Sequence, residues 1–165
     1  MTELGAVRRR ALIYAALCAL AVAALGGLAT EIGPWYRALL KPSWNPPDWL
    51  FGPAWTIIYA LTALAGVRSW EVAGAAQKRL LALLFGLNGL LNVLWSLLFF
   101  RLQRPDWALL EVGLLWLSIL SLLVYCGRLR RGTIGLLLPY LAWVSFAATL
   151  NAVVVQLNAP FGAGH

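Results

Sequence analysis

The chain has 165 residues, of which 62% are hydrophobic and 12% are charged, and its formal net charge is +7. A soluble domain carries about 25% charged residues, so this chain has too little polar surface to cover a globule in water. The length allows one domain, residues 1–165, and the basic residues lie between apolar runs, as in loops that flank a membrane. The composition therefore predicts a polytopic membrane protein that lies in the lipid bilayer and binds no nucleic acid.

Five apolar segments of the chain are candidate membrane spans. They cover residues 11–30, 52–70, 80–100, 107–126 and 133–157. Each is near the length of about 20 residues with which a helix crosses a hydrocarbon core. Helices are required because hydrocarbon offers no partner to free backbone groups, and the sequence lacks the alternation of a barrel. The first segment is too long for the core of a signal peptide and is interpreted as an uncleaved span. The predicted fold is an all-α bundle of five transmembrane helices.

The distribution of lysine and arginine predicts the orientation of the protein. Nine of the thirteen basic residues lie in the N-terminal tail and around the loops after the second and fourth spans. The nine are Arg8, Arg9, Arg10, Arg68, Lys78, Arg79, Arg128, Arg130 and Arg131. Because loops rich in basic residues stay in the cytoplasm, we expect a cytoplasmic N-terminus and an outside C-terminus. We expect the bacterial cell membrane to hold this multi-pass protein.

The segment 31–51, between the first two spans, has an unusual composition for a linker. Residues 31–50 include four prolines and three tryptophans. Proline fixes φ and disfavours a helical residue before it, so the loop is predicted to be stiff. Two interpretations are open. Trp35, Tyr36, Trp44 and Trp49 would form an interfacial aromatic belt, or the loop would be a lid packed over the mouth of the bundle.

Aromatic and amide side chains recur at helical spacing inside three spans. Residues three or four apart share one face of a helix, and a face that carries asparagine avoids lipid because an amide needs hydrogen-bond partners. The stripes are Trp55 and Tyr59, then Asn88, Asn92, Trp95 and Phe99, and finally Tyr140, Trp143, Ala147 and Asn151. We expect all three stripes to point into the bundle.

The role of these stripes has two interpretations. For the asparagines we favour hydrogen bonding between helices, which is a common use of polar side chains in membranes. For the aromatic residues we favour a slot for a flat apolar ligand. Large planar rings on three helices, beside small residues such as Ala147 and Ala148, would leave a narrow apolar space of the kind that binds small molecules.

Small residues follow one face of the first span. The stripe consists of Ala15, Ala19, Ala23 and Gly27. It allows close approach of another helix, either inside the bundle, which we favour, or at a dimer seam.

Glu111 is the one acidic residue well inside a span. A buried carboxylate in a membrane is costly, but this one lies near the positive end of a helix dipole. We expect it to reach the interface or to be bonded locally, with Arg101 and Arg104 as partners.

Residues suited to catalysis or metal binding are sparse. Cys18 and Cys126 lie in apolar surroundings and form no disulfide framework, and the single histidine is the last residue, His165. The sequence shows no Ser–His pair, paired carboxylates, phosphate-binding glycine loop or metal cluster, so neither a metal nor a required cofactor is predicted. Cholesterol-type patterns within residues 123–128 and, reversed, within residues 10–17 are weak, because chance supplies them in a leucine-rich chain.

Four segments together resemble the TspO/MBR family, whose members are also called tryptophan-rich sensory proteins, translocator proteins or peripheral benzodiazepine receptors. The segments are KPSWNPP at 41–47, GPAWTIIY at 52–59, NVLWSLLFF at 92–100 and PYLAWVSFAATLN at 139–151. They follow the order and spacing of the family, and the similarity covers roughly residues 30–155.

The resemblance implies a five-helix bundle, often a homodimer, that binds porphyrins, haem, sterols and benzodiazepine-type ligands. It implies that Trp55 and Trp143 flank the ligand and that the loop around Trp44 closes over it. With the stripes described above, the predicted ligand-binding residues are Trp44, Pro46, Pro47, Trp55, Tyr59, Asn92, Trp95, Trp107, Tyr140, Trp143, Ala147, Leu150 and Asn151.

The chain departs from the family pattern at two places. Leu97 stands where the third span often has proline, which leaves open whether the helix is kinked there. Residues 152–158 lack the tyrosine and arginine of the sterol-recognition segment of animal members. This argues against high-affinity cholesterol binding and leaves porphyrin binding unaffected.

The favoured function is a membrane receptor or sensor for a planar hydrophobic ligand, a porphyrin or haem, bound between the helices. With no internal histidine or methionine, a bound haem is expected to lack the usual axial ligation by protein. One alternative is degradation of protoporphyrin in light and oxygen, with Trp55 and Trp143 as electron or radical partners of the ligand. Another is transport of porphyrins or sterols across the bilayer.

Overall fold

The computed structural model describes residues 3–161, except for the side chains of residues 3–8 and 10. Its helices are α1 (Glu3–Ala29), α2 (Pro34–Ala38), α3 (Phe51–Val72), α4 (Ala75–Ser96), α5 (Pro105–Leu129) and α6 (Ile134–Asn158). Short 3₁₀ turns cover Asp48–Leu50 and Arg131–Thr133, and a π-helical turn covers Leu97–Arg101. Within the described residues, the five helices other than α2 are long and apolar enough to cross a membrane. The predicted all-α five-helix bundle is confirmed.

The spanning helices lie where the apolar segments predicted them, and four of them extend further. Apolar segments mark only the part of a helix that lies inside hydrocarbon. A helix continues into the headgroup region when the free N–H and C=O groups at its ends have hydrogen-bond partners. Helix α5 begins at Pro105, whose missing N–H costs nothing in the first turn. At the start of α4, the Gln77 side chain accepts a hydrogen bond from the Gly74 N–H at 2.8 Å.

The five spanning helices form a closed ring. Helix α1 packs against α3, α3 against α6, α6 against α5, α5 against α4, and α4 against α1. Helix α5 is deeply packed, with Ile119, Leu122 and Cys126 fully buried, whereas α1 exposes much of its apolar surface. Consecutive helices α3 and α4 therefore lie on different sides of the ring, and α3 packs against α6, which is distant from it in the sequence.

The small-residue stripe of α1 faces the bundle over most of its length. Ala15, Ala19 and Ala23 are half-buried, but Gly27 is exposed and Gly26 is buried in its place. The prediction for Gly27 was wrong because steps of four residues advance about 400° around a helix, so a strict four-residue stripe drifts off its face. A Cβ on Gly26 would stand 3.9 Å from the hydroxyl of Tyr59. Close packing inside the bundle is therefore confirmed for this face.

The segment 31–51 contains a short helix that its prolines did not predict. Helix α2 begins at Pro34, preceded by an extended Gly33. Proline disfavours helix at the residue before it but is well suited to the first helical position, so one residue both ends the extended stretch and starts the helix.

The third span ends in a widened turn at the position that the sequence left open. The Leu102 N–H donates to the Leu97 carbonyl at 2.9 Å, which is a π-type step of five residues. Gln103 then takes a left-handed φ of 53°. The helix is therefore irregular at Leu97 without proline, and the irregularity is an extra residue in the turn.

The two cysteines are free. Cys18 is exposed on α1 and Cys126 is buried in α5. His165 and the side chains of Arg8 and Arg10 lie outside the described residues.

Candidate functional site

A chain of hydrogen bonds joins four helices at the centre of the bundle. Tyr59 on α3 donates to Asn92 Oδ1 on α4 at 2.7 Å, and Asn92 Nδ2 donates to the Tyr140 hydroxyl on α6 at 3.2 Å. Tyr140 donates to Asn88 Oδ1 at 3.2 Å, and Asn88 Nδ2 donates to Ser118 Oγ on α5 at 2.9 Å. The interpretation of Asn88 and Asn92 as interhelical hydrogen-bonding residues is confirmed.

The tryptophans of the spans pack against one apolar core. Trp55, Trp95 and Trp143 all contact a cluster formed by Ile58, Val112, Leu115, Ile119, Tyr140 and Val144. Trp55 stacks on Tyr59 with ring centroids 5.3 Å apart, and Trp95 stacks on Phe99 at 5.1 Å. None of the three points wholly into lipid, because each is at least partly buried.

The free space beside these rings lies at the edge of the bundle. A groove of about 360 Å³ runs between α3 and α6 and is open towards the outside. It is lined by Ala54, Ile57, Ile58, Pro139, Ala142, Trp143 and Phe146. This differs from the expected flat slot between three indoles, because of the three only Trp143 lines the groove, while Trp55 stacks on Tyr59 and Trp95 on Phe99. The volume is at the lower end of the range for small-molecule sites, which is about 300–1,000 Å³.

Aromatic side chains continue from this groove into the loop 31–51. Trp143 contacts Phe51 at 5.8 Å and Phe146 at 5.7 Å between ring centroids. Trp44, in the loop, meets Phe146 edge-on at 5.8 Å. The groove therefore has an aromatic wall at the end that the loop covers.

The loop is tied to both sides of that end of the bundle. The amide of Asn158 at the end of α6 accepts from the Leu40 N–H at 2.8 Å and donates to the Leu40 carbonyl at 2.9 Å. On the α4 side, Tyr36 packs on Phe100 with ring centroids 5.4 Å apart. The loop is thus packed against the bundle through these contacts, while Trp44 and Trp49 remain exposed.

Tyr36 is the buried residue of α2, and its ionisation is perturbed. Burial, and then the nearby Asp48 carboxylate, raise the pKa of Tyr36 from its ordinary value near 10 to about 12. The Lys41 ammonium lies 4.1 Å from the centre of the same ring and donates to the Tyr36 carbonyl at 2.6 Å. The local chain is held by these contacts as well as by its prolines.

The start of α5 holds two predicted site residues away from the groove. Trp107 is 47% exposed and lies under the Arg104 guanidinium, 4.0 Å from the ring centre. Arg104 forms a bidentate ion pair with Asp106. Asn151 on α6 is fully buried and donates to the Pro105 carbonyl at 2.8 Å. These residues fasten the end of α5 to the bundle.

Glu111 contradicts its predicted environment. Its side chain is 6% exposed, and neither carboxylate oxygen has a hydrogen-bond partner among the described residues. The expected partners are engaged elsewhere, since Arg101 pairs with Glu31 at 2.9 Å and Arg104 pairs with Asp106. The helix turns Glu111 to the same side as Ala108 and Leu115, which face the core, so the carboxylate lies inside the bundle.

The predicted ligand-binding residues fall into several groups. Trp143 lines the groove, and Trp44 contacts the lining residue Phe146. The polar network contains Tyr59, Asn92 and Tyr140, with Trp55 stacked on Tyr59. The aromatic cluster beneath the loop includes Trp95 and Leu150, the start of α5 holds Trp107 and bonds to Asn151, Ala147 is half-buried on α6, and Pro46 and Pro47 lie in the loop.

Sequence reasoning missed several residues that line the groove. Phe146 is the most prominent, because it touches both Trp143 and Trp44. The signal was present in the spacing of Pro139, Trp143 and Phe146, which lie four and three residues apart on one helix face. The predicted site instead followed the neighbouring face of α6, through Tyr140 and Asn151, because that face carries the polar residues.

Comparison with known proteins identifies the family. The model of the TspO/MBR family matches residues 14–157. The chain is 42% identical over 130 residues to "Tryptophan-rich protein TspO" of Chlorobaculum tepidum, covering 75% of this chain and 79% of that protein. It is 38% identical over 150 residues to the protein of the same name from Archaeoglobus fulgidus, covering 90% and 97%.

The similarity extends to an animal protein. The human "Translocator protein" is 34% identical over 126 residues, which cover 75% of each chain. The match to the family model spans all five membrane-spanning helices, including the aromatic groove and the polar network. The chain therefore belongs to the TspO/MBR family of multi-pass membrane proteins.

Proposed function

We propose that the protein is a membrane receptor or sensor that binds a planar hydrophobic ligand, a porphyrin or haem, in the groove between α3 and α6. The observation that carries this proposal is the aromatic series at one end of an apolar groove, in which Trp143 and Phe146 form the wall and Trp44 reaches from the loop. Aromatic rings attract one another beyond simple burial of area, and a flat conjugated ligand offers a large face for stacking.

The polar network has a structural part in this proposal. Because Tyr59 and Tyr140 both bond to Asn92, the polar groups of these three side chains are already used between helices. They fix the spacing of α3, α4 and α6, and the spacing of α3 and α6 sets the width of the groove. The ligand itself is then held by stacking and apolar contact. A bound haem would have no histidine or methionine ligand from the residues that line the groove.

A titration of tryptophan fluorescence tests the proposal. Purified protein is titrated with protoporphyrin, haem, a sterol and a benzodiazepine-type ligand, in native form and as Trp143→Ala. Loss of one aromatic partner is expected to weaken binding of the planar ligands roughly two- to tenfold. Trp70→Ala is the matched control, because Trp70 is also half-buried but lies at the opposite end of α3, beneath Lys78.

The titration has a clear contrary outcome. If all four ligands bind weakly and Trp143→Ala behaves as the native protein does, the groove is not the ligand site. An equal loss of affinity in Trp70→Ala would also contradict the assignment, because it would show a general effect on the bundle.

Degradation of protoporphyrin in light and oxygen is a second candidate function. It is favoured by the position of Trp143, whose indole lines the groove and would lie beside an excited porphyrin. Illumination of the complex in air separates the two functions. A defined tetrapyrrole product that requires Trp143 supports an enzyme, whereas quenching without a product supports a receptor.

The proposed orientation places the N-terminus in the cytoplasm. It is supported by the positions of the basic residues, since Lys78, Arg79 and Arg128 lie at one end of the bundle and Arg37 and Arg101 at the other. The first end carries the larger number of basic residues. A reporter enzyme that is active only outside the cytoplasm, fused to the C-terminus, is expected to be active.

A further inference from the structure

A second groove lies on the outer surface of the bundle, at the end opposite the aromatic loop. It has a volume of about 380 Å³ and runs between α4 and α5. Its walls are formed by Leu80 and Leu84 on α4 and by Leu120, Ser121, Val124, Tyr125 and Arg128 on α5. The lining residues recur every four positions on each helix, so each helix contributes one continuous face to the groove.

The depth of this groove matches one leaflet of a bilayer. Arg128 lies in the last turn of α5, where the helix leaves the apolar region. From Arg128 to Leu120 the groove runs inward by about 12 Å, at 1.5 Å per residue. Half of a typical hydrocarbon core is about 15 Å. An acyl chain whose headgroup lies at Arg128 would therefore follow the groove through most of its leaflet.

The charge at the mouth of the groove selects the headgroup. Arg128 is exposed and has no ion-pair partner among the described residues. Arg79 and Arg131 lie at the same end, while Glu71, also at this end, is paired with Arg130 at 3.4 Å. The mouth is thus basic. A guanidinium binds phosphate through charge-assisted hydrogen bonds, which the neutral hydroxyl of a sterol does not match.

We propose that the groove between α4 and α5 is a binding site for an anionic phospholipid. The lipid phosphate contacts Arg128, and one acyl chain lies along Leu84, Leu120 and Val124. Ser121 does not compete for the headgroup, because its hydroxyl donates to the Leu117 carbonyl at 2.8 Å. The site uses a different pair of helices and the opposite end of the bundle from the aromatic groove, so it stands independently of the proposed receptor function.

Native mass spectrometry of the full-length protein tests this site. Protein in detergent is mixed with equimolar phosphatidylglycerol and phosphatidylcholine of identical chains, and the retained lipid is counted. The native protein is expected to retain more phosphatidylglycerol. One basic residue at a membrane surface contributes substantially to the binding free energy of an anionic headgroup. Arg128→Gln should therefore reduce the retention of phosphatidylglycerol about fivefold. Arg131→Gln, at the same end but outside the groove, is expected to retain it as the native protein does.

The acyl-chain part of the site is tested by filling the groove. Val124→Trp keeps Arg128 but blocks the path of the chain, so it should also lose phosphatidylglycerol. Leu114→Trp is the matched control, because Leu114 is a lipid-exposed residue of α5 outside the groove. Unchanged unfolding profiles show that all variants are folded.

Three outcomes would overturn the proposal. Equal retention of the two phospholipids by the native protein would exclude selection of an anionic headgroup. Equal losses in Arg128→Gln and Arg131→Gln would show diffuse attraction to a basic surface. Displacement of phosphatidylglycerol by an equimolar amount of cholesterol would identify the groove as a sterol site.

Discussion

Removal of the Tyr140 hydroxyl tests whether the polar network holds the helices together. Tyr140 is 1% exposed, and its hydroxyl takes part in two hydrogen bonds of 3.2 Å, to Asn92 and Asn88. A hydrogen bond between membrane helices contributes about 0.6 kcal/mol on average. Tyr140→Phe should therefore destabilise the bundle by about 1.2 kcal/mol, which is roughly an eightfold change in the unfolding equilibrium.

The measurement is unfolding of the purified protein by sodium dodecyl sulfate in mixed micelles, followed by circular dichroism. Tyr59→Phe removes one bond, of 2.7 Å, and should cost about half as much. The double variant should lose less than the sum of the two, because both hydroxyls bond to Asn92. Tyr125→Phe is the control, since its hydroxyl has no hydrogen bond within the described part of the chain.

Unfolding of Tyr140→Phe at the same detergent fraction as the native protein would show that the hydroxyl does not stabilise the bundle. An equal loss of stability in Tyr125→Phe would also refute the role of the network, because the loss would then follow from removal of any tyrosine hydroxyl. Strict additivity of Tyr59→Phe and Tyr140→Phe would show that the two bonds act separately and that no shared network exists.

Two predictions concern the loop 31–51. Asn158→Ala removes both hydrogen bonds to Leu40, so in a hydrogen-exchange measurement the Leu40 amide should exchange at least fivefold faster. Amides of the spans should keep their protection. Unchanged exchange at Leu40 would contradict this prediction. Tyr36 should keep its proton until about pH 12, whereas the same residue in an undocked loop loses it near pH 10. Docking of the loop should therefore weaken as the pH rises through this interval and be constant below it. The spectrophotometric difference between native protein and Tyr36→Phe should show a midpoint near pH 12, and a midpoint near pH 10 would refute the burial of this side chain.

The fold was predictable from the sequence because few backbone structures can cross a bilayer. Apolar segments near the thickness of the hydrocarbon must be helices, and their number and length follow from composition. The hydrogen bonding of Asn88 and Asn92 was predictable for the same reason, since an amide in lipid needs a partner. Each of these inferences requires only the type of residue and the fact that lipid surrounds it. Neither requires knowledge of which helices are neighbours.

The features that could not be predicted depend on which residues and helices are adjacent in the fold. The carboxylate of Glu111 and the guanidinium of Arg104 are close in sequence, but Arg104 pairs with Asp106 because that carboxylate is two residues away at the helix start. The position of the groove depends on contact between α3 and α6, which are far apart in the chain. The widened turn after Ser96 contains Phe99 and Phe100, which pack in the aromatic cluster, and no proline in the sequence marks its position.

The closure of the ring by α6 has a consequence for biosynthesis. This helix leaves the ribosome after the other four spans, yet it supplies one side of the aromatic groove, the Tyr140 hydroxyl in the polar network and the Asn158 side chain that bonds to the loop. A nascent chain that stops after the fourth span can insert its helices but has no wall opposite α3. The groove, and with it the proposed ligand binding, should therefore arise in a single step when α6 is inserted, and a ligand added during synthesis should stabilise only chains that contain α6.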